Sequence, residues 1–496
     1  MNILMVSLGC DKNLCDSETM MGILSANDYN LTNEEDEADA VIINTCSFIK
    51  DAMEESINTI LEMAKLKENR LKYIIVAGCL AERYKNEIFD EIPEIDACVG
   101  TTSFDRIVEV IKKLEEVNDK VDVEVGMCKS AGVKTGTDAK TDTGEKTTTS
   151  TETDSDTEIE SGLDSAIKLV KSNKVVAYDS IDRLATSKYH KAITSGTFMG
   201  YLKIAEGCDK RCTYCAIPLM RGRYRSVPME KLLDEASYMA ENGIKELVLV
   251  AQETTCYGKD IYGKKCLHEL IHKLAGIEGI EWIRVMYCYP EEIYDELIEA
   301  FKDEPKLVHY IDMPLQHSED NILRRMGRRT DRKSVIEVIE KLRKAVPDIA
   351  IRTSLIAGFP GETEEEHQSL LEFLDEMELD RVGVFTYSRE EGTPAAGFDN
   401  QIDEKTAEKW RDEIMELCQE ISLDKNELMI GNTYKVIIEG YSPDDDVYVG
   451  RTYKDAPGVD GLVFVNCDYE LMSGDIVDVI ITEAGPYDLI GEVKEN

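Results

Sequence analysis

The chain has 496 residues, room for about three folded units, and its 57 Lys and Arg stand against 99 Asp and Glu for a formal charge of −42. That balance argues against a general nucleic-acid binder, because phosphate contacts need surplus cations, while 43% apolar residues suffice for real cores. No run approaches the ~18–20 apolar residues of a membrane span and no signal peptide is recognisable, so the fourteen cysteines read as metal ligands or catalytic thiols of a cytoplasmic protein, not as disulfides.

Residues 1–125 repeat one pattern, an apolar strand-like run followed by a helical stretch. The runs are Asn2–Leu8, Ala40–Ile43 and Tyr73–Ala77, and the helical stretches lie near 16–26, 50–67 and 81–90. Such alternation predicts an α/β domain with an open parallel sheet. Residues 126–190 read as a linker. Between Lys134 and Glu158, ten of 25 residues are Thr and the one apolar side chain is Ala139. A segment that buries nothing cannot offset its ordering entropy, so a disordered spacer is expected there, ahead of a phosphorylated or binding tail.

Over 191–427 the alternation returns. Strand candidates are Tyr201–Ala205, Glu246–Ala251, Trp282–Tyr287, Val308–Ile311, Ala350–Ile356 and Arg381–Thr386, with helical segments such as Met229–Asn242 and Ser334–Ala345 between them. Six βα units are too few for a closed eight-stranded barrel, which predicts an open, partial (βα)6 barrel. A charged helix over about 403–427 leads out. Residues 428–496 break into short strands, Tyr434–Glu439, Gly461–Val465, Ile476–Thr482 and Leu489–Val493, separated by Gly, Pro and Asp. That is the pattern of a small β-barrel.

The strongest chemical signal is Cys208-Asp-Lys-Arg-Cys212-Thr-Tyr-Cys215, just after a strand and the turn residue Gly207. Three thiolates this close can hold three irons of a 4Fe–4S cube and leave the fourth iron open to an exogenous ligand. A structural zinc knuckle is the alternative, but it wants a fourth Cys or His nearby and none follows before Cys256. A second set is dispersed. Cys10, Cys46 and Cys79 each follow the carboxyl end of a predicted parallel strand, beside Gly or Thr. Those ends share one edge of the sheet, where ligands bind in open α/β folds. Any one of them alone reads as a small buried hydrophobe; three in register predict a second cluster. Cys15 is a bystander, and Cys98, Cys128, Cys256, Cys266, Cys288, Cys418 and Cys467 read as structural. Among the six histidines, His317 alone sits beside other motif-like residues.

The 208–215 run at the end of the first strand of a partial barrel resembles the radical S-adenosylmethionine (SAM) superfamily. The resemblance implies that SAM chelates the open iron, that one electron cleaves its sulfonium, and that Tyr214 lies against the adenine. Taken with the dispersed triad, nearly the whole chain resembles the methylthiotransferases, and most of all the RimO family, which modifies an aspartate of small-subunit ribosomal protein S-twelve. The stretches that carry this are Val6–Asn13, Lys203–Cys208, Pro218–Gly222, Val250–Thr255, Pro314–Ser318, Gly358–Thr363, Phe385–Ser388, Val449–Thr452 and Asp455–Gly461. Asp11 departs from the Pro usual in the family, and the insert near 128–165 is unusual.

The resemblance implies two 4Fe–4S clusters and SAM as cofactors. Cys208, Cys212 and Cys215 would hold the catalytic cluster, whose chemistry yields a radical that takes hydrogen from the β-carbon of the target aspartate. Cys10, Cys46 and Cys79 would hold the second, which carries a sulfur methylated by another SAM. Gln252, Glu253, Arg352 and Ser354 are further candidate SAM contacts, with an inward packing role as the alternative for each. An electron donor is implied, and a monomer is the expected state.

The C-terminal barrel resembles a TRAM domain, a module often associated with RNA. Yet residues 431–496 hold four Lys or Arg against 14 Asp or Glu, net −10, which repels RNA and attracts a basic ribosomal protein. Arg451, Asp455 and Asp460 are the expected substrate contacts by resemblance. The alternatives are a transfer-RNA methylthiotransferase acting on isopentenyladenosine and a non-catalytic iron–sulfur scaffold that binds the ribosome.

Overall fold

The computed structural model describes residues 1–130, 166–170 and 173–494, so the Thr-rich insert lies outside the described residues. The first unit runs β1 (Asn2–Ser7), α1 (Asp11–Ser25), β2 (Asn30–Thr32), β3 (Ala40–Thr45), α2 (Lys50–Lys65), β4 (Tyr73–Gly78), α3 (Cys79–Tyr84), α4 (Ile88–Glu91), β5 (Ala97–Val99) and α5 (Ile107–Ser130). Then come β6 (Ile167–Val170) and β7 (Lys174–Ala177). Its sheet has the order β2-β1-β3-β4-β5-β7-β6, parallel throughout except for the β6–β7 pair. Strands β3 and β4 are buried along their whole length, which is why they read as continuous apolar runs rather than alternating ones. The stretch expected as linker is thus in part sheet. Val175 and Ala177 pack with Ala97 and Val99 in one core, and three or four residues are too few to stand out as a run.

The central unit opens with β8 (Met199–Lys203), β9 (Ala205–Glu206), the short α6 (Ile217–Arg221) and β10 (Arg225–Ser226). The strands β11 (Glu246–Val250), β12 (Trp282–Val285), β13 (Leu307–Asp312), β14 (Ala350–Ala357) and β15 (Arg381–Thr386) complete it. β8 and β11–β15 form one parallel six-stranded sheet in the order β15-β14-β13-β12-β11-β8. It does not close, in keeping with the partial barrel read from the sequence. Leu247, Leu249, Ile283, Val285, Ile351 and Leu355 face outward into a core shared with the amphipathic helices. Helices start where chemistry allows: Thr363 and Glu366 form a reciprocal capping box ahead of Glu364–Met377.

The last unit is a closed barrel, β16-β17-β18-β20-β19, built from β16 (Thr433–Ser442), β17 (Val447–Thr452), β18 (Val463–Asn466), β19 (Ile476–Ala484) and β20 (Leu489–Val493). β17 was not among the expected strands. Gly450 interrupts its pattern, and it is needed there because a Cβ would sit 2.5 Å from the Ile437 carbonyl oxygen.

This barrel is bolted to the central one by buried ion pairs, which corrects the expectation for Arg451, Asp455 and Asp460. Glu246 accepts from Arg284 at 2.9 Å and from Arg451 at 2.7 Å, and all three side chains are fully buried. Asp455 takes Arg381 at 2.7 Å. Asp460 takes Arg352 at 3.3 Å and the Tyr310 hydroxyl at 2.7 Å. The polar groups of these residues are spent inside the protein, so they hold domains together and present nothing to a substrate. Among the described residues no helix is long and apolar enough to cross a membrane.

Candidate active site

The carboxyl ends of β1, β3 and β4 lie side by side, with Ser7 opposite Asn44 and Asn44 opposite Ala77. This brings Cys10, Cys46 and Cys79 to one edge. Gly9 makes the approach possible: its φ is +83°, and a Cβ there would sit 2.5 Å from Cys46 Cβ. Asn13 ties the loops together, donating to the carbonyls of Leu8 and Thr45 at 3.0 Å each, with its Oδ1 3.9 Å from Cys79 Sγ. Burial pushes the Cys79 thiol up to about 12; Arg221 opposes that, and the neighbouring thiols of Cys46 and Cys10 add to it. Burial also raises Cys46, against the backbone N–H groups of Phe48 and Ser47. Three thiols gathered at one edge, two of them (Cys46 and Cys79) raised by burial, are a fit for iron, which takes thiolates and releases the protons. Among the described residues no three His, Cys, Asp or Glu side chains grip a single ion. An iron–sulfur cube is wider than an ion, each thiolate holding its own iron.

The second triad is held by its own loop. Gly207 (φ +75°) turns the chain where a Cβ would meet the Arg223 carbonyl oxygen at 2.1 Å. The Lys210 N–H points at Cys208 Sγ and the Ile217 N–H at Cys215 Sγ, both at 3.4 Å. Such donors favour the thiolate. Thr213 anchors the loop across the barrel mouth, its N–H donating to the Met326 carbonyl and its hydroxyl to the Arg325 carbonyl, both at 2.8 Å. Burial pushes Cys208 up to about 12 and raises Cys215, with Cys212 adding to the latter shift.

Around this loop several buried polar atoms have no partner: Gln252 Oε1, Glu253 Oε2, and Arg328 Nε and Nη1. Gln252 donates to Glu206 at 3.2 Å. Glu253 uses its other oxygen on Thr255, lies 4.0 Å from Lys210 Nζ, and is pushed up to about 7 by burial. Arg328 lies 4.3 Å over the Tyr289 ring and donates through Nη2 to the Pro314 carbonyl at 3.0 Å and to Glu291 at 3.5 Å. Buried polar groups are normally satisfied. An unpaired carboxylate oxygen, an amide oxygen and a guanidinium edge suit the ammonium and carboxylate of an amino-acid ligand. Tyr214 packs edge-on against Phe359 at 6.5 Å. The 358–361 turn is held by Glu362, which accepts the N–H groups of Gly358 and Phe359 at 2.8 and 3.0 Å. His317 backs Glu362 at 3.3 Å.

Two other expected contacts differ. Arg352 is taken by Asp312 at 2.8 Å and by Asp460, so it has little left for a cofactor. Ser354, half-buried on the same strand face, makes no side-chain hydrogen bond among the described residues. Cys15 is buried, with Sγ 3.6 Å from the Tyr201 carbonyl, and is not brought to either triad by any contact.

The two triads meet through α6, which starts two residues after Cys215. Cys79 packs against Ala216 and Met220, and the Thr101 hydroxyl donates to the Met220 carbonyl at 2.6 Å. The helix ends on Arg221, whose side chain is 1% exposed. Its guanidinium donates to Glu206 at 2.9 Å, to Asp16 at 3.0 Å, and to Asn13. Lys203 also reaches Glu206, at 2.7 Å, and Asp16. Burial pushes both carboxyls up. Arg221 and Lys203 reverse this for Glu206, holding it well below the usual range, while Asp16 stays raised. This network ties α1 to the barrel, and the sequence reading missed it, although Arg221 lies within Pro218–Gly222. Arg328 was missed too. A buried charge declares itself only through its partners, or their absence.

Residues 2–100 match the model described as uncharacterized protein family UPF0004, residues 202–374 the radical SAM superfamily, and residues 430–493 the TRAM domain. The ribosomal protein uS12 methylthiotransferase RimO of Lachnoclostridium phytofermentans is 50% identical over 495 residues, covering 100% of both chains. The protein of the same name from Acetivibrio thermocellus is 45% identical over 98% of this chain and 97% of its own. Among solved structures, the radical SAM methyltransferase TsrM from Kitasatospora setae overlays with a TM-score of 0.52 at 12% identity, over 88% of this chain and 80% of that one. The radical SAM enzyme OxsB gives a TM-score of 0.51 at 13% identity, over 84% of this chain and 56% of that one. Those two likenesses speak to the fold alone. With half of all positions shared end to end, the chain belongs to the RimO family of methylthiotransferases.

Proposed function

We propose that the chain inserts a methylthio group at the β-carbon of an aspartate of ribosomal protein uS12, using SAM and two 4Fe–4S clusters. The radical SAM domain implies SAM and one such cluster; the second rests on the dispersed triad. The observation that carries the reading is the contact of Cys79 with the helix that follows Cys215. It makes the two triads neighbours, as a reaction joining a carbon radical to sulfur requires.

Cys208, Cys212 and Cys215 hold the cluster that receives SAM, and Cys10, Cys46 and Cys79 hold the sulfur-bearing one. When bound, these groups supply one-electron cleavage of a sulfonium and the sulfur and methyl group that are transferred. The protein does the placing. Glu253 and Gln252 take the ammonium of the methionyl end and Arg328 takes its carboxylate. Tyr214 and Phe359 form an apolar wall for the adenine, and Ser354 is left for the ribose. Ala216, Ile217 and Met220 keep water from the junction. Arg221 locks α1 to the barrel, so that the triads keep their spacing. The excess of acid on the C-terminal barrel suits a basic ribosomal protein rather than RNA, and no observation favours the transfer-RNA reading.

Mass spectrometry of ribosomal proteins from a strain lacking this gene tests the proposal. The uS12 protein should lose its methylthio increment. An unchanged mass of uS12 with altered transfer RNA would overturn it.

A further inference from the structure

If the proposed reaction is right, the substrate carries its own charge into the junction. The carboxylate is bonded to the reacting β-carbon, so it must enter wherever that carbon enters. An unpaired carboxylate in such a place is costly, and some cation must meet it. Most cations near the junction are already committed. Arg221 and Lys203 share Asp16 and Glu206. Lys210 bridges Glu291 and Glu292 at 3.4 and 2.6 Å, Arg83 holds Glu390 at 2.9 Å, and Arg352 holds Asp312 and Asp460. Arg328 has a free edge, but it lies on Tyr289 at the SAM side.

Lys12 differs. It follows Cys10 by two residues on the first turn of α1 and its side chain is 8% exposed. Its Nζ lies 2.8 Å from Asp11 Oδ1 and 3.3 Å from the centroid of the Tyr287 ring. Asp11 is the only carboxylate paired with it among the described residues, and Tyr287 is its other side-chain partner, so a three-donor ammonium keeps an N–H to spare. Tyr287 stands just beyond the carboxyl end of β12 with φ +62°, a conformation that a bulky aromatic residue adopts only where its surroundings impose it. They do so here: its N–H donates to Asp312 at 2.9 Å, its carbonyl accepts from Thr254 at 3.1 Å, and its hydroxyl donates to Asp11 at 3.3 Å. A strained tyrosine from the barrel mouth and an aspartate from the dispersed-triad loop thus grip one ammonium across the junction.

We propose that the Lys12 ammonium, seated on Tyr287 and Asp11, is the counter-charge for the side-chain carboxylate of the substrate aspartate. It shares itself between two carboxylates, as Lys210 does with Glu291 and Glu292. Lys12 is then a specificity-determining residue: it selects an acidic side chain over its neutral isostere. Asp11, which departs from the family's usual Pro, acquires a role in holding the lysine.

The test is binding, with no reductant present. The full-length chain, loaded with iron and sulfide, is titrated with uS12 from the same organism and with a version carrying asparagine at the target aspartate. The unmodified enzyme should prefer the aspartate form by about tenfold or more, the worth of one charged hydrogen bond. Lys12→Met should abolish that preference, and Lys12→Arg should keep most of it. Lys12→Gln, with the same expectation as Lys12→Met, covers misfolding of the more apolar variant. Lys12→Met weakening both forms equally, or neither, would overturn the proposal and leave Lys12 as a partner of Asp11 and Tyr287 alone. Equal affinity of the unmodified enzyme for the two forms would overturn it without any variant. Absence of methylthio transfer to uS12 by the fully reduced enzyme is a separate result, and it would sink the proposed function instead.

Discussion

Both ends of the central barrel bury charged side chains, and they finish them differently. At the end that meets the C-terminal barrel, Glu246, Arg284 and Arg451 are fully buried and joined in ion pairs, and Arg381 is matched by Asp455. At the mouth, Glu253 and Arg328 are buried and Gln252 is half-buried, and each keeps a buried atom with no partner. The cost of burying a polar group is the same at either end. Ion pairs complete the first end apart from Arg284 Nη2, while at the mouth the atoms without a partner gather around the 208–215 loop, where a ligand can complete them.

That contrast can be broken by substitution. The largest effects belong to the thiols: Cys212→Ala should abolish substrate-free SAM cleavage, read as 5′-deoxyadenosine by chromatography. Cys46→Ala should keep that cleavage and lose the methylthio product. Normal product from Cys46→Ala would remove the role given to the dispersed triad.

Next come matched changes at the two ends. Glu246→Ala leaves the buried Arg284 with no carboxylate and Arg451 with Glu439 alone, and should cost about 3–5 kcal/mol, read by denaturant unfolding. Arg328→Met removes a guanidinium that has two nitrogens without a partner and one long ion pair, to Glu291 at 3.5 Å, so the unloaded protein should lose far less stability than Glu246→Ala does. Its SAM affinity, however, should fall about tenfold to a hundredfold. A large stability loss from Arg328→Met would erase the distinction between the ends.

The smallest effect is one of pH. Burial raises Glu253 to about 7, above its unfolded value, so this group favours the fold at acid pH and that contribution is lost as pH rises through about 7. A ligand ammonium needs the ionised carboxylate and must displace the proton below that point. SAM affinity should therefore drop about tenfold between pH 8 and pH 6, and Glu253→Gln should flatten the profile. A flat profile in the unmodified enzyme would detach Glu253 from the ammonium.

Much of this architecture was legible in the residues. Cys10, Cys46 and Cys79 could be placed together because parallel strands end on one edge, whatever their separation in sequence. The six barrel strands were readable because their outward faces are continuously apolar. What escaped was set by tertiary pairing. β5, β6 and β7 are too short to announce themselves. Arg451, Asp455 and Asp460 looked like a binding motif, but their partners Glu246, Arg381 and Arg352 lie far off in sequence. Arg221 and Lys12 gain meaning only from the helices and rings folded against them.

The central claim is that two neighbouring triads each hold a four-iron cluster, and iron counting tests it most directly. Anaerobically reconstituted protein should carry about eight irons per chain, falling to about four in Cys46→Ala and to about four in Cys212→Ala. Retention of about eight by Cys46→Ala, or only about four in the unmodified protein, would contradict the account.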